Sequence, residues 1–144
     1  MKKIFCLTLI ALLPLYANAE STLTIQCDAL NGIYYGVNGK GVVSEHIDGF
    51  SPKSSTTIIW KVGAKTATIS SGDAKAKPTT EIANLINLQK KIISWTLTNS
   101  GATELWTYNI PTKTLLYSSH IQQYDLDGGA AGTVFVANCR AGTN

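Results

Sequence analysis

The sequence predicts an all-β domain, a small antiparallel barrel or sandwich of about eight to ten short strands with the first and last joined by a disulfide. Three observations carry that expectation. Apolar and polar residues alternate with a period of two, most plainly in Ile93, Trp95 and Leu97 against Ser94, Thr96 and Thr98, which is the pattern of a half-buried strand. Turn residues interrupt the alternation about every ten to thirteen positions, the spacing of a sandwich or barrel. Thr, Val, Ile, Trp and Tyr fill the apolar segments, and these side chains suit a pleated surface.

The N-terminus stands apart from this pattern. Met1-Lys2-Lys3 is positively charged, Ile4 to Leu15 is an apolar run broken only by Thr8 and Pro14, and Ala17-Asn18-Ala19 places small residues where a signal peptidase reads them. Residues 1–19 therefore read as a secretory signal peptide, with cleavage before Glu20. The run is too short for a membrane anchor, which needs about 20 apolar residues. Glu20 also stands where a lipoprotein would need cysteine. A soluble periplasmic or secreted protein is expected, with residues 20–144 forming one domain.

Removing the leader changes two inferences. Lys2 and Lys3 leave with it, so ten Lys and Arg face nine Asp and Glu, a net charge of +1. That is too near neutrality to support a nucleic-acid or membrane-surface role. Cys6 leaves as well, and the remaining pair, Cys27 and Cys139, is expected to form a disulfide in an oxidising compartment. Neither has a Cys or His at ligand spacing, so no metal site or cofactor is expected.

Along the chain, Ser21 to Cys27 is the first expected strand and Ile33 to Val37 the second, with Asn38-Gly39 a hairpin signal and Val42 to Ile47 its return. Thr56 to Val62 and Thr66 to Ser70 pair across Gly63-Ala64-Lys65, and Ser71 to Pro78 is a polar loop. Thr79 to Leu88 is ambiguous, because Ile82, Leu85 and Ile86 fit a helical stripe; its surroundings favour a strand. Ile93 to Thr98, Glu104 to Ile110 and Thr114 to Ser119 then form a meander, with Trp106, Tyr108 and Ile110 expected on one face. Asn99 to Ala102 and Pro111 to Lys113 make its turns. Asp127 to Gly132 is a flexible turn, and Thr133 to Cys139 is the last strand, with Phe135, Ala137 and Cys139 facing one way. An up-and-down order closed by the disulfide would remove both sheet edges.

Chemistry-bearing patterns are sparse. His46 lies beside Glu45 and Asp48, and His120 is the only other histidine. Neighbours in a strand point to opposite faces, so Glu45 and His46 are poorly placed to act together. A small hydrolase or isomerase built on either histidine would need a carboxylate brought in by the fold. No Gly-x-Ser-x-Gly is present. Asp125 to Gly129 falls out of register with a calcium loop, and Gly36 to Gly41 lacks the helix that a phosphate loop needs.

Charge and aromatic content are more suggestive. Seven lysines lie between Lys53 and Lys91 against Asp73 and Glu81. Lysines that solvate strands and blunt sheet edges account for most of them. As a binding surface they would centre on Lys75 and Lys77 and meet an anionic envelope glycan, a head group or an acidic protein. Aromatic residues should mostly be core; if any line a barrel mouth, Trp106 and Tyr108 are the pair best spaced to hold a ligand.

A leader, a short all-strand chain and a cysteine near each end resemble the plan of small periplasmic barrel proteins, among them lipocalin-like modules and the periplasmic inhibitors of lysozyme. The likeness is architectural and carries no functional residue across. The expectation is a non-enzymatic, monomeric binding or inhibitory protein that recognises an envelope glycan or another protein. A structural subunit of a surface assembly is the alternative that would leave a strand edge unpaired.

Overall fold

The computed structural model describes residues 21–37, 40, 43–49, 53–72, 78–99, 101–122 and 129–144. The expected leader lies outside them, as do the Asn38-Gly39 turn, Lys75 and Lys77. The described chain forms ten antiparallel strands: β1 (Thr22–Cys27), β2 (Asn31–Val37), β3 (Val43–Gly49), β4 (Ser55–Lys61), β5 (Thr66–Gly72), β6 (Thr79–Gln89), β7 (Ile92–Asn99), β8 (Ala102–Asn109), β9 (Thr114–Gln122) and β10 (Ala130–Thr143). Eight of them close into a barrel in the order β1-β4-β5-β6-β7-β8-β9-β10, with β10 pairing back onto β1. The fold is a barrel rather than a sandwich.

The bridge sits at the closure. Cys27 and Cys139 are direct partners across β1 and β10, with a Cα separation of 3.9 Å. The strand order departs from the expected up-and-down path, because β2 does not pair with β1. β10 is long enough to hold two partners on one edge: Cys139 to Thr143 pair with β1, and Ala130 to Val136 pair with β2. The β2–β3 hairpin is thus a wing that extends the sheet beyond the closed wall. Leu30, 1% exposed, pins the short link between β1 and β2 into the core.

Local sequence explains the wing's close seating. A Cβ on Gly32 would collide with the Val134 carbonyl oxygen and come within 2.7 Å of the Phe135 Cα. Only glycine lets β2 approach β10 so nearly. Gly101, with φ of +99°, supplies a backbone conformation in the β7–β8 turn that favours glycine.

The interior is filled by side chains. Trp95, Trp106, Tyr117 and Phe135 are consecutive register partners across β7 to β10. The last three rings are in contact, with Trp106 and Tyr117 centroids 4.3 Å apart and Tyr117 and Phe135 6.0 Å apart. Ala67 and Ala83 on β5 and β6 line the opposite wall. Small residues facing large ones are how a narrow barrel is packed solid.

Thr79–Gln89 is a strand, as its surroundings favour. Its mixed periodicity has a structural cause, a bulge between Leu85 and Asn87 that leaves Ile86 half-exposed. An inserted residue shifts the alternation by one.

Candidate functional site

With the barrel filled, concave surface lies on its outer wall and rim. A cavity of about 530 Å³ opens where β1 gives way to β2, lined by Gln26, Asp28, Asn31, Ser55, Thr57 and Arg140 together with Cys27, Ala29 and Ser54. A second hollow, of about 320 Å³, shares Gln26 and Arg140 and runs on to Asn144. The two make one groove along the β1–β10 seam.

Each part of the lining follows from local structure. Gln26 and Arg140 are register partners, and Thr57 stands across from Gln26 on β4, so the three form a row over the outer wall. Their inward neighbours, Cys27 and Cys139, carry the disulfide. The floor is therefore covalently held. Asn31 donates from Nδ2 to the Ala29 carbonyl at 3.0 Å, which orders the rim. The chemistry on offer in the larger cavity is a guanidinium, a carboxylate, two amides and three hydroxyls, with no aromatic ring among the described residues.

A second polar cluster lies inside the barrel. Glu104 on β8 is half-buried, and its Oε2 accepts from Trp106 Nε1 at 3.1 Å. Burial raises its carboxyl pKa, against the hydrogen bonds from Trp106 and Tyr117 that lower it; the nearby charge of Glu81 raises it further. Burial also pushes Tyr117 up to about 12, so its phenol stays a neutral donor. Beside it Ser119 Oγ and Thr133 Oγ1 are 2.7 Å apart and buried. The cluster reads as interior polarity satisfied by internal bonds.

That arrangement sets a pH dependence. A carboxyl whose folded pKa is raised binds its proton more tightly in the native state, so stability is greatest below the ordinary carboxylate range and falls as pH rises through the raised value. Glu104→Gln is expected to be more stable than the parent at neutral pH, with the advantage shrinking on acidification. Thermal unfolding from about pH 4 to 8 measures this difference, and an advantage that grows toward acid would refute it.

The sequence-predicted residues are distributed differently. Trp106 and Tyr108 are 4% and 2% exposed, inside the barrel wall. Both belong to the buried core, where most of the aromatic residues are expected, and not to a barrel mouth. Ile110, expected on their face, is instead exposed in the turn. His120 lines a hollow of about 370 Å³ with Thr98, Asn99, Thr103 and neighbours, and among the described residues no Asp or Glu is in that lining. The backbone of His46 lies in β3 opposite Tyr34; its side chain is outside the described set. Among the described residues no three His, Cys, Asp or Glu are grouped to hold a metal ion, and no helix is long and apolar enough to cross a membrane.

The groove residues were not singled out by motif. One signal was available: Arg140 is the chain's only arginine, and it directly follows Cys139.

No protein-family model, curated protein or solved structure matches the chain.

Proposed function

We propose that the protein is an exported binding domain whose β1–β10 groove recognises an anionic envelope glycan. The observation that carries this reading is the coincidence of the larger cavity, the only arginine and the disulfide at one seam. A guanidinium engages a carboxylate or phosphate through two parallel hydrogen bonds. Gln26, Asn31, Ser55, Thr57 and Asp28 supply the donors and acceptors that sugar hydroxyls need. A rigid floor supports affinity, because little ordering accompanies binding. The disulfide is compatible with an oxidising compartment and so with the leader's reading as an export signal.

Calorimetric titration with soluble anionic envelope polysaccharides and their uncharged counterparts tests the proposal. Arg140→Ala is expected to weaken binding to the anionic set about 10- to 100-fold, the range for one charged hydrogen-bonding group. Arg140→Lys should recover only part of it, since an ammonium lacks the fork. No binding to any anionic glycan, or equal binding by Arg140→Ala, would discard the assignment.

A further inference from the structure

The eight-stranded wall has no edges, yet the wing restores one. Among the described residues β3 pairs only with β2, whereas every other strand has neighbours on both sides. Among the described residues nothing pairs with its open side along Val43–Gly49. Edge strands are commonly blunted by Lys or Pro, and Val43–Gly49 contains neither. Ile47 is 91% exposed, more than the other large apolar residues on the described surface.

The apolar character continues away from that edge. Ile47 stands opposite Ile33, and Ile33 opposite Val134, giving a row across the outer face of β3, β2 and β10. The row ends abruptly at β3.

We infer that β3 pairs antiparallel with β3 of a second copy of this chain, about a two-fold axis at Ile47. The residues of the strand argue for this occupant over an unrelated one. A two-fold axis perpendicular to the sheet keeps each residue on its own face, so the axis passes through a residue position. Centred on Glu45, it would set two exposed carboxylates against each other, which is unfavourable for directly opposed pairs. Centred on Ile47, it sets Ile47 against its symmetry mate, and the backbone register places position 46 of each copy opposite position 48 of the other. The apolar rows of the two copies then join into one strip across six strands. The pair departs from the monomer expected from sequence.

Sedimentation velocity on the protein is the test. The small interface predicts a weak dimer, dissociating over roughly 10 µM to 1 mM. Ile47→Lys should abolish the concentration dependence while the near-ultraviolet circular dichroism is retained, because the side chain is exposed. Leu116→Lys, on the same outer face but away from the edge, should leave it intact. Under mild oxidation Ile47→Cys should cross-link to a dimer, and Leu116→Cys should not. A monomer throughout that range, a dimer indifferent to Ile47→Lys, or cross-linking equal at the two positions would overturn the inference. Each result is independent of glycan binding at the groove.

Discussion

Removing the Cys27–Cys139 bridge is expected to lower folding stability by about 4 to 5 kcal/mol. The pair is separated by 112 residues, so it encloses nearly all of the described chain. In the unfolded state that cross-link excludes most extended conformations, and a loop of this size lies near the top of the entropic scale. Domains of this size are typically stable by only 5 to 15 kcal/mol, roughly, so the loss is a large fraction of the whole. The position adds a structural reason. Cys27 and Cys139 hold the pairing that closes β1 onto β10, and this contact joins the two ends of the described chain. Urea titration of the parent, with and without reductant, and of the Cys27→Ala/Cys139→Ala double variant measures the effect. A loss below about 1 kcal/mol would mean that β1 is held chiefly by β4 and that chain entropy does not dominate.

The second large effect is expected at Trp95. Its side chain is fully buried between the β6 and β8 neighbours, edge-on to Trp60 at 6.2 Å. Trp95→Ala is expected to cost about 3 to 5 kcal/mol, as for other large aromatic residues deleted from a core. Trp95→Phe should cost far less, under about 1.5 kcal/mol, because Trp95 Nε1 is buried with no hydrogen-bond partner among the described residues and a phenyl ring removes that orphan donor. Trp106 provides the contrast. Its Nε1 donates to Glu104, so Trp106→Phe leaves a half-buried carboxylate with Tyr117 but without one of its donors and should be the more destabilising of the two phenylalanine variants. Denaturant midpoints for the four proteins decide it; equal losses for the two phenylalanine variants would show that the indole N–H groups are energetically alike.

Burial inside the barrel limited what could be read about the candidate site. Trp106 and Tyr108 share a face in β8, and alternation predicts that shared face correctly. Whether the face looks into a core or onto a ligand depends on what lies across the barrel. Here the rings join one buried cluster with Ala67, Ala83 and the other inward residues of the far strands. Arg140 illustrates the converse. Its neighbours in sequence are Cys139 and Ala141, while its partners in the groove come from β1, β4 and the link after β1. Gln26, Asp28, Asn31, Ser55 and Thr57 carry no motif, because a polar outer wall looks the same in sequence whether or not it is concave.

Alternation of apolar and polar residues determined most of the strands by itself, since a period of two places one face of each strand in the core wherever it pairs; Thr79–Gln89, whose bulge breaks the period, was legible only from its surroundings. Sequence likewise determined the pairing of Cys27 with Cys139, the only cysteines among residues 20–144. Strand order was decided in three dimensions. β10 is long enough to receive two partners along one edge, and Gly32 lets β2 lie against it. Hydrogen bonding between strands is nearly independent of side-chain identity, so a period of two tells a strand which face to bury and leaves open which neighbour it joins.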